Sequence, residues 1–503
     1  MAIGLALASC LPVLVARYPQ MSDYPAHLAR YAVMLDAGRS ADLARYYGFS
    51  WAWTGNLGVD LLIRPFAALF GLEGGGRVIT GLIPPLTGLA LIAVDYTLHR
   101  RVTVASFLAM AFVWSPMMLI GLLNFALGQA LALWGFALWV WLDQRRARGV
   151  GRALLFVPIG LVVWLCHLSA WGLLGVLIFG YEWALRGVER RWWRAFVAPW
   201  PLLAPIIVMV LHPGTAGTFS YGHAPWLYKQ AIWLRAMRDT SYALDMVALG
   251  VVGLAIVGSL LFRRIDGRLG WAGGLLLVLS FAVPRRISGG DYADYRLITS
   301  GLMVCCLAID WDRPRWVRRS LLVAAPALYV VRLIVTTLSW QADSAQTAQV
   351  LAALDPVPMG ARVASAVLVP RENWRLDHFE HIGAYAVLRR HALVNANFAV
   401  PHVHMLQVKA GAPGFVDPSQ RILQSGRQPV DLAHFVPARS AEWLWYVGER
   451  APDSLPAGAV VVWRGPQSLL ARLTLPQGAG NGAANQAGGG PVAGALAKPG
   501  KRD

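Results

Sequence analysis

The sequence is short of charge. Only 14% of its 503 residues are Asp, Glu, Lys or Arg, against roughly 25% in an ordinary soluble domain, while 56% are hydrophobic and the mean hydropathy is +0.49. That balance excludes a soluble enzyme solvated on all sides, and it excludes a disordered chain. Lysine is nearly absent: Lys229, Lys409, Lys498 and Lys501 are the only ones, so almost every positive charge is an arginine. Cysteine is as scarce. Cys10, Cys166, Cys305 and Cys306 all fall inside apolar runs, which points to buried thiols and not to a disulfide framework. A P-loop and a Gly-rich dinucleotide fingerprint are both missing. This argues against an ATP-driven pump and against a cytosolic Rossmann domain. Self-similarity at a fixed short period is missing too.

What is present in excess is positive charge: Lys+Arg 45 against Asp+Glu 27, a formal +18. On a soluble protein this would suggest nucleic acid; on an apolar chain it suggests arginines gathered in the cytoplasmic loops of a polytopic membrane protein. Apolar stretches near the length of a span lie at 1–18, 77–98, 104–121, 124–142, 153–168, 170–185, 195–211, 245–262, 269–284, 296–310 and 320–338. Five basic loops separate them: Arg100-Arg101, Arg145 to Arg148, Arg186 to Arg194, Arg263 to Arg268 and Arg313 to Arg319. The stretch 56–71 is apolar but is interrupted by Asp60, Arg64 and Pro65. Treating it as a juxtamembrane helix puts all five basic loops on the side of the N-terminus; treating it as a span would put them outside, against the positive-inside rule. Leu7-Ala8-Ser9-Cys10 resembles a lipobox, but no positive region precedes it and the apolar run continues to Ala16, so 1–18 reads as an uncleaved first helix.

The expected fold is therefore a mainly α polytopic membrane bundle of about eleven transmembrane helices, with a small α/β extracytoplasmic C-terminal domain. Residues 1–340 form the bundle, with an outer loop at 19–76 that carries juxtamembrane helices. Segments Arg362–Val369, Ala392–Phe398, Trp443–Val447, Ala459–Trp463 and Leu469–Leu473 are short β-branched or aromatic runs punctuated by Pro and Gly, with a helical pattern at Asp377–Arg390. They define the outer domain at 343–475. The tail at 476–503, rich in Gly, Ala, Pro and Asn, reads as disordered.

Chemistry concentrates just outside the first span, at Ser22-Asp23-Tyr24-Pro25-Ala26-His27-Leu28-Ala29-Arg30-Tyr31. Pro25 suits the first turn of a helix on which His27, Arg30, Tyr31 and Met34 share a face, with Asp23 one turn before His27. A carboxylate, an imidazole and a guanidinium would converge at the membrane surface. The structural alternative is that Asp23 only caps the helix and Arg30 snorkels to headgroups. A second feature is the outer loop Pro284–Arg296. Its Arg285, Arg286 and Arg296 stand where topology does not call for positive charge. Guanidinium forks match phosphate oxygens, and Gly289-Gly290 would let backbone approach an anion. A salt-bridged loop, with Asp291 or Asp294 as partner, and a contact with anionic lipid are the other readings. His167, at the outer end of a span, is an ionisable group in a membrane helix or a hydrogen-bonded member of the bundle. Tyr31, Asn56, Asp60, His167, Asp291 and Asp294 are candidate cavity-lining residues. Lys229, Arg235 and Arg238, with Trp226, Tyr228 and Trp233, suit a sugar or lipid headgroup, or an aromatic belt. Asp377-His378-Phe379-Glu380-His381 and His402-Val403-His404 do not match a zincin motif and read as surface histidines, with no metal.

A first span, a long outer loop opening on an acidic residue, juxtamembrane helices, many spans and an outer α/β domain together resemble the GT-C superfamily of integral-membrane glycosyltransferases. The likeness is to the bacterial branch of protein mannosyltransferases and aminoarabinose transferases. His381-Ile382-Gly383-Ala384-Tyr385-Ala386-Val387-Leu388-Arg389-Arg390 is similar to bacterial membrane proteins near that superfamily. The resemblance implies a polyprenyl-phosphate-linked sugar donor, a glycan, lipid or protein acceptor, and the bacterial cytoplasmic membrane, with no nucleic acid. It implies a catalytic role for Asp23, as base, and donor-phosphate binding by Arg285, Arg286 and Arg296; the reading of the residues adds His27 beside the base and Arg30 to the phosphate-binding arginines. Many members carry two adjacent acidic residues where this chain has Asp23-Tyr24, so a divalent metal has no paired acidic motif to support it and no cofactor is expected. The leaving group is a phosphate, which needs positive charge aimed at it more than a general acid. An acceptor hydroxyl needs a base, and a single inverting displacement would follow. A transporter or flippase, or a non-catalytic envelope assembly protein, are the competing classes; the clustering of ionisable residues at one surface and the missing repeats favour the enzyme.

Overall fold

The computed structural model describes residues 1–147, 149–186, 191–212, 219–287, 290–311, 314–370, 373–399, 404–409, 421–424 and 428–474. Arg148, Arg190, Arg313, Ser288, Gly289, His402, Val403 and the tail at 476–503, all part of the expectations above, lie outside these residues. The chain is mainly helical, with a small sheet near its C-terminal end. Among the described residues, six helices are long and apolar enough to cross a membrane: Gly58–His99, Leu123–Gln144, Leu168–Arg186, Trp193–Leu211, Tyr242–Leu261 and Arg315–Leu354. Shorter apolar helices occupy Ala2–Val15, Val150–Cys166 and Gly267–Ala282. Leucines such as Leu254, Leu261 and Leu154 point outward, as they do where the surrounding solvent is hydrocarbon. The helix Ala293–Leu307 lies at the centre, with every residue but Leu297 buried.

Helix breaks shape the bundle. The expected juxtamembrane stretch and the second span are two helices within Gly58–His99, joined at a break at Gly71 with φ 71° and ψ 167°. Only glycine adopts that conformation cheaply. The break folds the first part back, so that a side chain on Gly75 would sit 2.7 Å from the Phe66 carbonyl carbon. The span expected at 104–121 is not one helix. Val104–Met110 and Pro116–Ile120 are separated at Ser115, which is extended (φ −71°, ψ 161°) because the following proline disfavours the helical region. All residues from 104 to 120 are buried, so this irregular backbone is enclosed by protein and not exposed to lipid. The first span is likewise divided, into Ala2–Ala8 and Leu11–Val15, ahead of Pro12. The freed carbonyl of Ser9 accepts a hydrogen bond from Trp114 Nε1 (3.0 Å).

The bundle has two chemically different ends. At one, the basic loops close on each other. Arg268 donates to the Leu98 carbonyl (3.2 Å) and pairs with Asp266 (2.6 Å), and His99 bridges Asp95 (2.9 Å) and Asp266 (3.2 Å). Arg100 donates to Gln144 (2.6 Å), Arg152 meets Asp143 (3.3 Å), and the Asp310 amide donates to the Arg264 carbonyl (2.9 Å). The helix Leu123–Gln144 leads from there to the opposite end, where Asn124 joins Asn56 and Asp60.

The sheet domain docks at that opposite end. Its strands are β1 (Tyr47–Phe49), β2 (Arg362–Pro370), β3 (Leu393–Val394), β4 (Leu406–Val408), β5 (Arg421–Gln424), β6 (Trp443–Val447), β7 (Val460–Gly465) and β8 (Ser468–Arg472). The main sheet runs β3-β2-β6-β8-β7, with β5 also on β2. β2 is parallel to β3, β5 and β6, whereas β6–β8 and β8–β7 are antiparallel. β2 is apolar and buried along most of its length, as a parallel strand covered on both faces should be. β1 pairs antiparallel with β4, Tyr47 opposite Val408, and so ties the loop after the first span to the sheet domain. The helix Arg315–Leu351 runs without interruption across the boundary expected at 340–343. Its far part holds the start of the outer loop: the Tyr18 amide donates to Ser344 Oγ (3.0 Å), and Gln20 Nε2 to Thr347 Oγ1 (3.3 Å).

Candidate active site

The helix Tyr24–Asp36 begins at Asp23, with Pro25 in its first turn. The Asp23 side chain makes no capping hydrogen bond to the helix, so its carboxylate is not spent on the cap. Its amide donates to the Ile120 carbonyl (2.8 Å). Next to it Gly121, at φ +100°, passes so close that a Cβ there would lie 3.4 Å from Asp23 Cβ. Thus the broken helix and the start of the outer helix form one seam, with the Asp23 side chain 16% exposed in it. His27 follows one turn later. Its ring stacks on Tyr31 (6.3 Å between centroids) and leans on Phe398 (5.4 Å). Burial first, then the Arg30 charge and His381, hold its pKa well below the usual value, so His27 is a neutral imidazole; its Nδ1 is buried with no partner.

Arg30 is engaged elsewhere. It pairs with Asp60 at 2.9 Å, both side chains being buried, and Asn124 donates to Asp60 (3.1 Å) and to Asn56 Oδ1 (3.0 Å). Arg30, Asn56 and Asp60 thereby form one neutralised network that fixes the outer helix to the start of Gly58–His99. The Tyr31 ring lies 5.2 Å from the Arg30 guanidinium.

The loop 285–296 supplies the other arginines. Arg285 grips Asp291 with two hydrogen bonds of 2.7 Å and lies over the rings of Tyr228 (4.7 Å) and Tyr292 (5.7 Å). Arg286 reaches the same carboxylate at 3.4 Å and is 56% exposed. Asp294 is taken by Lys229 (2.6 Å), whose ammonium also donates to the carbonyls of Ser280 (2.7 Å) and Val283 (2.6 Å). Arg296 differs from all of these. It is 8% exposed, and its Nε is buried without a partner. Among the described residues its side chain has no hydrogen bond or ion pair. It lies 5.7 Å from the Phe125 ring, whose other neighbour is His167 at 5.4 Å; His167 Nδ1 accepts from the Ser169 amide (3.0 Å). Asp291, Asp23 and Asp294 lie within its electrostatic reach.

Two groups were not legible as site residues. The Tyr228 hydroxyl, weighed with its neighbours as a sugar or lipid headgroup contact or as an aromatic belt but not placed among the site residues, is buried without a partner and lies within electrostatic reach of Arg296. Of the histidines expected on the surface of the outer domain, the three that are described are not exposed there. His381 is 7% exposed, with Nε2 3.7 Å from Asp23 Oδ1, while His378 and His404 are partly buried. The reason is the docking of the sheet domain on the outer helix, where Ser22 Oγ donates to the Asp377 carbonyl (2.7 Å). The signal was the density of His, Asp and Glu in 377–381.

These histidines predict an acid-sensitive fold. Burial, then Arg30, lowers His404 from 6.5 to about 4, and burial, then Arg375, lowers His378 to about 3. Below pH 6.5 the unfolded chain takes up protons that the folded chain refuses, at a cost of about 1.4 kcal/mol per histidine per pH unit. This stability is fully present above pH 6.5 and is lost as the pH falls toward the folded values. The melting temperature in detergent should therefore fall from pH 6.5 toward 4, less steeply in His404→Gln. A flat profile in both proteins would contradict it.

No protein-family model and no curated protein matches the chain. Among solved structures it is similar to ArnT from Cupriavidus metallidurans, crystallised bound to undecaprenyl phosphate, with 13% identity and a TM-score of 0.48 over 93% of this chain and 97% of that one. The likeness is one of fold, and at this identity it assigns no residue.

Proposed function

We propose that the chain is a membrane glycosyltransferase that moves a sugar from a polyprenyl-phosphate donor to an envelope acceptor, at the end of the bundle where the sheet domain sits. The observation that carries this reading is Arg296, a buried guanidinium without a counter-ion among the described residues, in electrostatic reach of the uncapped carboxylate Asp23. A buried charge left unpaired is costly, and a phosphate brought in by a lipid would complete it. Since the basic loops gather at the other end, the positive-inside rule puts them in the cytoplasm and this site on the outer face of a bacterial cytoplasmic membrane, with the N-terminus inside.

In this reading Asp23 is the base for the acceptor hydroxyl. Arg296, with Tyr228, faces the leaving phosphate, and Arg285 and Arg286 stand at its entrance, held by Asp291. His27, neutral and partly unpartnered, is a hydrogen-bond acceptor beside Asp23 and not a charge. Arg30 acts indirectly, by holding the outer helix in place. Base and leaving group on opposite sides of the sugar carbon give a single inverting displacement. The test is transfer from a labelled polyprenyl-phosphate sugar to an envelope fraction. Asp23→Asn should lower the rate by about 1,000-fold and still bind undecaprenyl phosphate; transfer at the unaltered rate would sink the role of Asp23.

A further inference from the structure

His381 reaches the site from the sheet domain. It precedes the short helical turns Ile382–Ala384 and Tyr385–Arg390, and its ring is held edge-on by Phe398 (4.7 Å). Its Nδ1 lies 3.2 Å from the Ala396 carbonyl. A carbonyl can only accept, so Nδ1 carries a proton. The other nitrogen, Nε2, faces Asp23 Oδ1 at 3.7 Å and Glu380 Oε1 at 4.0 Å. In a neutral ring of this tautomer a lone pair would be turned toward two carboxylates. That lone pair makes Nε2 a ready acceptor for a proton delivered to Asp23, and the charged ring that results lies against both carboxylates. Among the described residues the groups around His381 include Asp23 and Glu380, then His27, which feels the His381 charge, and Tyr292 and Arg296, which feel Asp23.

We infer that His381 is a positioning residue for Asp23, a relay that takes up the proton Asp23 removes from the acceptor. The inference rests on the transfer reading above. The acceptor oxygen forms a bond to the sugar carbon, and the bond from that carbon to the donor phosphate oxygen breaks, its electron pair leaving with the phosphate. The acceptor proton goes to Asp23, passes to His381 Nε2, and is released to water before the next turnover. Glu380, on the far side of the imidazole, stabilises the charged ring while it holds the proton. The sheet domain thus supplies part of the machinery of the bundle.

The test pairs kinetics with a spectroscopic readout. Glutamine can donate to Asp23 from its amide but cannot take up a proton. In His381→Gln, kcat should therefore fall about 100-fold, KM for the lipid donor should stay within about twofold, and the acid limb of the pH–rate profile should shift. Unaltered kcat, or kcat and KM changing together with a lowered melting temperature, would overturn the relay. The second measurement uses 15N-histidine spectra, with the His381 signal assigned by its loss in His381→Gln. Its titration midpoint should drop in Asp23→Asn, where the carboxylate that favours the charged ring is gone. A midpoint that does not move overturns the relay whether or not transfer is seen. Absence of transfer by the unaltered protein with polyprenyl-phosphate sugars overturns the function instead.

Discussion

Replacing Arg296 by methionine should make the protein more stable and, on the proposed function, less able to bind undecaprenyl phosphate. The guanidinium is buried at the centre of the bundle, lying over Phe125, with Nε lacking any partner. Desolvating an ion costs several kcal/mol, and the returns here are partial: a cation–π contact of about 0.5–2 kcal/mol and the field of Asp23, Asp291 and Asp294. Methionine fills a similar space and adapts to its surroundings. A gain of about 1–3 kcal/mol is expected, which raises the melting temperature by a few degrees. Binding of undecaprenyl phosphate should move the opposite way. Loss of a buried charge contact costs about 2–5 kcal/mol, so affinity should drop by a factor of roughly 30 or more. Lysine at this position, a point charge without the planar fork, should recover only part of it. Native mass spectrometry or a lipid-dependent thermal shift reads both effects. Lower stability with unchanged binding would make Arg296 a structural residue and remove the main support for a phosphate site.

The same residue shows what the sequence could and could not convey. Arginine placement along the chain separated a basic end from a minority of outer arginines, because loop charge is local information. Whether an outer arginine is free depends on its counter-ion: Arg285 and Arg286 find Asp291 nearby in sequence, but Arg30 finds Asp60 far along the chain, as Lys229 takes Asp294 across 65 positions. Nothing in the spacing of Arg30 or Arg296 distinguishes the neutralised one from the unpaired one. Asp23 was legible, since an acidic residue ahead of Pro25 marks a helix start. Its neighbour His381 was not, because docking of the sheet domain brings them together. The break at Ser115 was hidden for a different reason. Hydropathy averages over Pro116 without registering it, and the local Ser-Pro signal favours a boundary that the apolar run on both sides concealed.

The Arg30–Asp60 pair should carry a large stability effect. Asp60→Ala leaves a buried guanidinium opposite Asn124 and Tyr31, with no carboxylate to offset its lost hydration. Removing one member of such a pair typically costs about 3–5 kcal/mol. The loss would appear as a fall in melting temperature and as easier proteolysis of the loop between the outer helix and Gly58–His99. Arg30→Ala should cost less, because Asp60 keeps its hydrogen bond from Asn124 (3.1 Å) and can protonate. The double variant Arg30→Met with Asp60→Leu should return most of the stability, since neither buried charge remains. Lipid binding in that double variant separates two roles for the pair. If binding of undecaprenyl phosphate is kept, Arg30 serves only to hold the outer helix against the bundle, and Asp23 and Arg296 meet without its charge. If binding disappears while stability returns, Arg30 takes part in the phosphate site directly, and the assignment of Arg296 as its centre has to be shared.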